Sequence, residues 1–148
     1  MFPSPFPEPR TAPLLRFAFA EPDLPALRDA VARAAADAGL DQDRLSDFVL
    51  AAHELAANSV MHAGGEGLLR LWADEGDLLC EVDDRGLLAD PELAGRSRPN
   101  LSVTGGAGLW IVRQASDTVQ IRSVPGQGTS VRMRMTLQPR PVRDAVGP

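Results

Sequence analysis

The sequence of 148 residues contains no lysine, a single cysteine and two histidines, and all fifteen of its basic residues are arginines. Without lysine the chain cannot carry a P-loop motif, because the lysine of that motif contacts the nucleotide phosphates. One cysteine and two histidines are also too few for a typical structural zinc site. Two common classes, P-loop nucleotidases and zinc-stabilised domains, are therefore excluded.

Long apolar runs are missing as well. None approaches the roughly twenty residues that a helix needs to cross a bilayer, and residues 1–10 lack the basic start and apolar centre of a secretory signal. The net charge of -5 is not the basic footprint of a nucleic-acid binder. Arg132 and Arg134 alternate with apolar residues, which is typical of the wet face of a half-buried strand. We therefore expect a cytoplasmic protein that contacts neither membranes nor nucleic acid directly.

The apolar content of 44% and charged content of 24% are ordinary for one globular domain. We expect a proline-rich extension over residues 1–11, a domain over 12–138 and a flexible tail over 139–148. The predicted strands are Leu14–Ala20, Leu68–Ala73, Leu78–Val82, Thr118–Val124 and Thr129–Leu137, and the predicted helices are Asp23–Ala38, a helix from its cap Asp41 to Gly64, and Leu109–Ala115. This pattern predicts an α+β fold, a two-layer α/β sandwich whose mixed, mainly antiparallel sheet carries its helices on one face.

The richest chemistry lies in the second predicted helix. Glu54, Asn58 and His62 follow one another every four residues, so they lie on neighbouring turns of that helix. A carboxylate can take up a proton while an amide oxygen one turn away helps to hold a hard metal ion. This combination indicates a nucleotide site, although a solvated glutamate and a helix-ending asparagine would give the same spacing.

The apolar residues around this motif bear on its exposure. Leu50, Ala57 and Met61 lie on the same side of the helix as Glu54, opposite the stripe that should face a core. A plain surface helix would be polar on that side. The pattern therefore predicts that Glu54 and Asn58 lie in a half-covered cleft.

Three further segments follow in order along the chain. An apolar strand runs into Asp84 and Gly86, a glycine-rich run at 105–108 precedes a helix, and a second one at 126–128 joins two strands. Each feature alone is weak, because aspartates at strand ends and glycine-rich turns are common in loops. The order of these segments and the spacing between them are more informative than any one segment.

Taken together, these segments resemble the gyrase, heat-shock chaperone, histidine kinase and mismatch-repair ATPase (GHKL) superfamily, which has the Bergerat ATP-binding fold. Within it the chain is most similar to small bacterial anti-sigma factors that are also serine-protein kinases. The resemblance covers residues 12–138. The matching segments are Glu54-x-x-x-Asn58 with His62-Ala63-Gly64 (the N box), Asp84-x-Gly86 (the adenine box), Gly106-x-Gly108-Leu109, and Gly126-x-Gly128-Thr129. The adenine box departs from the family pattern, since Leu87 and Leu88 follow Gly86 where a second glycine is frequent, and a lid over residues 87–104 would have a stiffer hinge.

The resemblance implies a role for each matching residue. Asp84 would accept a hydrogen bond from the adenine amino group, Gly86 would give the base clearance, and Thr129 would complete the adenine contacts. Glu54 would be the catalytic base and Asn58 would ligate Mg²⁺ that bridges the ATP phosphates. The other nucleotide-binding residues would be His62, Gly106, Gly108 and Leu109, the last three through backbone N–H groups at a helix start.

The resemblance also implies a function. We expect an ATP-binding anti-sigma regulatory factor with serine/threonine-protein kinase activity towards a STAS-type antagonist, so that a sigma factor and this antagonist are its partners. The alternatives are a catalytically silent ATP-binding switch and a detached ATPase domain of a sensor histidine kinase. Glu54 favours catalysis over binding alone, and the lack of a preceding phosphoacceptor helix pair disfavours the histidine kinase. A homodimer is also possible from the sequence.

Overall fold

The computed structural model of the chain describes residues 6–62, 65–86 and 107–137. Its helices and strands, in chain order, are β1 (Leu15–Ala20), α1 (Leu24–Asp37), α2 (Gln42–His62), β2 (Glu66–Asp74), β3 (Asp77–Asp84), α3 (Ala107–Ala115), β4 (Thr118–Val124) and β5 (Gly128–Thr136). Each of these elements was predicted from the sequence, and each bound lies within two residues of the prediction. The predicted lid and C-terminal tail lie outside the described residues.

The five strands form one sheet in the order β1-β2-β3-β5-β4. Every pairing among the described strands is antiparallel, so no parallel component of the predicted mixed sheet is found in this part of the chain. The hairpin between β2 and β3 turns at Glu75 and Gly76, which have φ angles of 51° and 82°. Because β5 lies beside β3, Asp84 at the end of β3 is directly opposite Thr129 at the start of β5. This pairing places two of the predicted site residues side by side.

The helices pack on one face of the sheet, which confirms the predicted two-layer α/β sandwich. We call this the inner face of the sheet and the opposite one the outer face. Cys80, on the inner face of β3, is fully buried, and this burial raises the pKa of its thiol well above the ordinary value. It is a core residue. The largest buried side chains of the inner core are Phe48, Leu27, Leu69, Leu71, Leu78, Met133 and Met135.

Contacts of its first turn fix the position of α2. The Asp41 carboxylate accepts a hydrogen bond from the Asp43 backbone N–H at 3.1 Å, which confirms the predicted cap at the helix start. Arg44, in the first turn, donates to the Thr136 carbonyl at 2.9 Å and pairs with Asp117 at 3.1 Å. The beginning of α2 is thereby attached to the end of β5.

Among the described helices, none combines the length and the apolar character that crossing a membrane requires.

On the outer face, the exposure of Arg132 differs from the prediction. Arg132 is not on a wet face: only 6% of it is exposed, and its Nε donates to the Glu81 carboxylate at 2.8 Å. The prediction was wrong because the chain near Pro7 lies over this face, where the Pro7 carbonyl accepts a hydrogen bond from Arg132 at 2.8 Å. Arg134, at 35% side-chain exposure, is the half-exposed residue that the alternation predicts.

Candidate functional site

The second helix presents the two residues with the most distinctive chemistry. Glu54 and Asn58 lie one turn apart on α2 and are both half-buried, which agrees with a half-covered cleft. Of the apolar residues around them, Leu50 and Met61 are exposed by 44% and 68%, whereas Ala57 is half-buried. The polar pair is therefore better covered than two of its apolar neighbours. The predicted residue His62 is the last residue of this helix, and its side chain lies outside the described part of the structure.

Asp84 lies where β3 meets α2, and its carboxylate is held from two sides. Ser59 Oγ on α2 donates to Oδ2 at 2.6 Å, and the Gly86 backbone N–H donates to Oδ1 at 2.9 Å. Both donors are neutral groups. Since each carboxylate oxygen has two lone pairs, the oriented group can still accept a further hydrogen bond from a ligand N–H. The geometry suits recognition of an amino group such as that of adenine.

The protonation of Asp84 follows from the same contacts. Partial burial raises the pKa of this carboxyl above its ordinary value, because it removes water from the charged form. The hydrogen bonds from Ser59, from the Gly86 backbone and from the Thr129 backbone oppose this rise. These donors thus help to keep the carboxylate ionised in its partly buried position.

Thr129 supports the loop that follows Asp84. Its Oγ1 donates to the Gly86 carbonyl at 2.8 Å and lies 2.7 Å from Ser123 Oγ. A hydroxyl carries only one proton, so Ser123 must donate to Thr129 if Thr129 donates to Gly86. The resulting chain of bonds from β4 through β5 to Gly86 fixes the backbone on which the Asp84 carboxylate depends.

Gly128 permits the close approach of β5 to the end of β3. A Cβ at this position would lie 2.0 Å from the Asp84 carbonyl oxygen and 3.0 Å from the Arg85 Cα, and the residue has a φ of 99°. Space and backbone conformation therefore both require glycine. Gly126 also has a positive φ, 80°, but a Cβ there would meet nothing within 4 Å. Of these two glycines, Gly128 is the one that shapes the site.

The predicted phosphate-side residues are described only in part. Gly106 lies outside the described residues, whereas Gly108 and Leu109 are in the first turn of α3. The first backbone N–H groups of a helix lack partners within the helix and attract anions. Since α3 packs against α2, this helix lies next to the one that carries Glu54 and Asn58. Their contact with phosphate stays a prediction.

The chemistry of the described side chains bears on the predicted Mg²⁺ site. The described ranges contain no group of three or more acidic, histidine or cysteine side chains that could hold an ion by themselves. Mg²⁺ in nucleotide sites, however, usually takes one or two protein oxygens and completes its shell with phosphates and water. The amide oxygen of half-buried Asn58 fits this kind of site.

Ser59 is the functional residue that was missed in the sequence. It is 2% exposed, next to Asn58, and is the side chain that joins α2 to the Asp84 carboxylate. A signal was available, because Ser59 lies four residues after buried Leu55 and so falls on the core-facing stripe of the helix. A polar residue in such a stripe needs a hydrogen-bond partner.

Comparisons with known proteins show the family of the chain. The profile of the histidine kinase-like ATPase domain matches residues 17–135. An anti-sigma F factor of Pasteuria penetrans is 34% identical over 122 residues, with 75% of this chain and 81% of that protein covered. The circadian input-output histidine kinase CikA of Synechocystis sp. is 28% identical over 105 residues, which cover 60% of this chain but 14% of CikA.

Solved structures show the same fold. The histidine kinase domain of the blue-light activated histidine kinase of Erythrobacter litoralis EL346 superposes with a TM-score of 0.52 at 20% identity, with 75% of this chain and 61% of that chain covered. Full-length ShkA in complex with AMPPNP superposes with a TM-score of 0.54 at 20% identity, with 93% of this chain and 34% of that chain covered. The profile match extends over most of the sequence, and the chain belongs to the histidine kinase-like ATPase domain family.

Proposed function

We propose that the chain is an ATP-binding anti-sigma regulatory factor that phosphorylates a serine or threonine of a STAS-type antagonist. The observation that carries the proposal is the Asp84 carboxylate, which Ser59 and Gly86 hold at the end of β3 beside the helix of Glu54 and Asn58. The family supports ATP as the nucleotide, and one structural neighbour binds its analogue AMPPNP. The name of the Pasteuria penetrans relative supports a sigma factor as a partner.

In this proposal, one group of residues binds the adenine of ATP and another binds its phosphates. Asp84 accepts a hydrogen bond from the adenine amino group, and Thr129 maintains the Gly86 backbone beside it. Asn58 holds Mg²⁺, which neutralises phosphate charge when bound. Because the chain has no lysine for this task, the N–H groups at the start of α3 add to the neutralisation.

Glu54 is the residue on which catalysis depends in this proposal. It takes the proton of the attacking serine or threonine hydroxyl, and the γ-phosphoryl group moves from ATP to that oxygen while ADP leaves. A base must be within hydrogen-bond reach of the proton it removes. The half-buried position of Glu54, one turn before Asn58, is compatible with this task.

Phosphoryl transfer is tested with γ-labelled Mg-ATP and a STAS protein encoded beside this chain. Glu54→Gln should slow labelling roughly 10² to 10⁴-fold, the usual contribution of a positioned base, while ATP still binds. Glu21→Gln, at an exposed glutamate before α1, is the matched control and should label at the wild-type rate. If the wild type binds ATP and labels no co-encoded STAS protein, the kinase proposal fails and the silent switch replaces it.

A histidine acceptor is the second candidate, because both structural neighbours come from histidine kinases. The chemistry of the product separates the two. Phosphoserine and phosphothreonine survive acid, whereas phosphohistidine is hydrolysed by acid and survives alkali. An acid-labile product would therefore overturn the serine/threonine assignment.

Nucleotide binding itself is tested by calorimetry. Asp84→Asn should weaken ATP binding by about 1 to 3 kcal/mol, because a charged acceptor is lost in a partly buried site. Asn58→Ala should abolish the Mg²⁺ dependence of binding and leave the melting temperature of the ligand-free protein nearly unchanged. A variant that unfolds would instead show that Asn58 is a structural residue.

A further inference from the structure

The outer face of the sheet carries a row of charges across three strands. Arg70 on β2 is opposite Glu81 on β3, and Glu81 is opposite Arg132 on β5. The Glu81 carboxylate accepts from Arg70 at 3.0 Å and from Arg132 at 2.8 Å. Asp83, two residues further along β3, accepts from Arg70 at 3.1 Å. Two carboxylates thus share two guanidinium groups.

This row is buried although none of the described helices packs on this side of the sheet. Glu81 is 0% exposed, Asp83 1% and Arg132 6%, and Trp72 between the arginines is fully buried. The Trp72 ring centre lies 4.9 Å from the Arg70 guanidinium and 5.5 Å from that of Arg132. Charged groups are removed from water only at a considerable cost in free energy. Something must therefore cover this face.

Part of the cover is the segment Phe6–Thr11, which we call the strap. The Pro7 carbonyl accepts from Arg132 at 2.8 Å, and the Glu8 carboxylate pairs with Arg70 at 3.3 Å. The Phe6 ring centre lies 5.3 Å from the Arg132 guanidinium, on which it makes a cation–π contact. Thr11 Oγ1 donates to the Ala73 carbonyl at 3.0 Å.

These contacts attach the strap by a few side chains. The Glu8 side chain is 59% exposed, so its pair with Arg70 contributes little. Proline at positions 7 and 9 favours an extended conformation and removes backbone donors, so the strap cannot add a fully bonded strand. The strap is therefore bound in the manner of an extended ligand peptide.

The face beneath the strap has unused hydrogen-bonding capacity. With the strap in place, four buried side-chain atoms have no hydrogen-bond partner among the described residues: Trp72 Nε1, Arg70 Nε, Arg132 Nη2 and Asp83 Oδ1. Buried polar atoms normally find partners. The strap leaves these three donors and one acceptor without a hydrogen bond, whereas an extended peptide whose backbone reaches them satisfies the donors with its carbonyl groups and the acceptor with an N–H.

We propose that the outer face is a docking groove for an extended, proline-containing peptide of a partner protein, one with an aromatic residue and a carboxylate two positions later. The strap, with Phe6 and Glu8 in this spacing, is the intramolecular occupant that keeps the groove closed. The aromatic ring stacks on the Arg132 guanidinium and the carboxylate pairs with Arg70. The groove is on the opposite side of the sheet from Asp84, so the proposal does not depend on nucleotide binding.

The first test asks whether the strap shields Trp72. In the full chain, Trp110→Phe leaves Trp72 as the sole tryptophan, and Phe6→Ala with Glu8→Ala loosens the strap. We expect red-shifted emission and at least threefold stronger acrylamide quenching in the loosened variant. Arg10→Ala, an exposed position of the same segment, is the control and should quench like the wild type. Unchanged quenching of the loosened variant would overturn the strap's role.

The second test supplies the peptide from outside. A fluorescein-labelled peptide Phe-Pro-Glu-Pro-Arg-Thr-Ala should bind the loosened variant saturably and restore the shielding of Trp72, with at least tenfold weaker binding to the wild type. The same peptide with alanine in place of phenylalanine and glutamate should not bind. Lack of saturable binding, or equal binding to both proteins, would overturn the groove.

The oligomeric state separates a partner peptide from a second copy of the chain. Sedimentation should give the same mass for the wild type and the loosened variant. If the loosened variant instead dimerises with Trp72 still shielded, the natural occupant is a second copy and the proposal is wrong. Arg132→Ala added to the loosened variant should lower peptide affinity at least tenfold; circular dichroism checks that the variant is folded, and unchanged affinity in the folded variant would overturn the groove.

Discussion

Asp83 and Asp84 are neighbours in the chain, yet they face opposite sides of the sheet and serve different ends. Asp84 is half-buried and held by a hydroxyl and a backbone N–H. Asp83 is 1% exposed and shares Arg70 with Glu81. Neutral donors orient a carboxylate without neutralising its charge, whereas arginines neutralise it. The inner face thus offers a carboxylate acceptor to a ligand, whereas the carboxyl groups of the outer face are paired with arginines of the same sheet.

The titration of the two carboxyl groups differs accordingly. Burial, a hydrogen bond with Glu81 and the negative charge of Glu81 raise the pKa of Asp83 to about 7, with Ser130 and Arg70 acting in the opposite direction. Burial also raises the pKa of Asp84, but no second carboxylate is among its causes and three hydrogen bonds oppose the rise. Of the two, Asp83 is the group that responds to pH near neutrality.

The largest effect is expected from breaking the outer row at its centre. Glu81→Ala leaves the guanidinium groups of Arg70 and Arg132 buried with one fewer carboxylate, and removing one partner of a buried pair typically costs about 3 to 5 kcal/mol. Asp77→Ala is the control, because Asp77 pairs with Arg134 at 2.7 Å where both side chains are partly exposed. Urea unfolding should show a loss below about 1 kcal/mol for the control. Similar losses for both variants would contradict the importance of burial.

The next largest loss of stability is expected at Gly128, where the backbone of β5 closely approaches the end of β3. Gly128→Ala should lower the free energy of unfolding by roughly 2 to 4 kcal/mol, because its Cβ would strike the Asp84 carbonyl and its φ is positive. Gly126→Ala has the positive φ without the collision and should lose only about 1 kcal/mol. Thermal or urea unfolding of both variants measures the difference. If both lose the same amount, the close approach of β5 to Asp84 is not what requires glycine.

A smaller, pH-dependent effect should come from Asp83. Its pKa is raised in the folded protein, so its contribution to stability is fully present below about pH 3.8 and is lost as pH rises through about 7. Between pH 5 and 8 this loss should be roughly 2 to 3 kcal/mol. Asp83→Asn cannot titrate and should flatten this part of the stability profile, measured by urea unfolding across pH. A profile with the wild-type slope would show that another group is responsible.

The strands and helices were predictable because their apolar periodicity and turn residues agree. The alternation in β5 assigns its residues to the two faces of the sheet, and Asp41 and the Glu75–Gly76 turn mark where elements begin and end. The site roles of Glu54, Asn58 and Asp84 came from the resemblance to the family. Their positions are now described, whereas their roles remain predictions.

What the sequence did not reveal depends on contacts between residues far apart in the chain. Arg132 was interpreted as solvated because alternation alone cannot show that residues 6–8 return to cover an outer strand face. Ser59 was missed because its partner Asp84 is 25 residues away. Local patterns give the faces of helices and strands, but the partners of buried polar groups depend on the tertiary fold.

The smallest expected effect comes from substituting two serines, one beside Asp84 on the inner face and one beside Asp83 on the outer face. Ser59→Ala removes a donor from Asp84, so the pKa of Asp84 should rise further, and Ser130→Ala should do the same for Asp83 because Ser130 lowers its pKa. Carbon-13 NMR titration of the carboxyl groups in the ligand-free protein measures both. We expect each substitution to move only the carboxyl on its own side of the sheet.

Nucleotide affinity then tests which of these carboxyl groups belongs to the site. A lost hydrogen bond to a charged acceptor is worth about 1 to 2 kcal/mol, so Ser59→Ala should weaken ATP binding, because the Asp84 carboxylate loses the hydroxyl that orients it. Ser130→Ala leaves Asp84 and its donors intact and should bind ATP like the wild type. Equal weakening by the two substitutions would show that the faces are coupled and that Asp84 does not act alone.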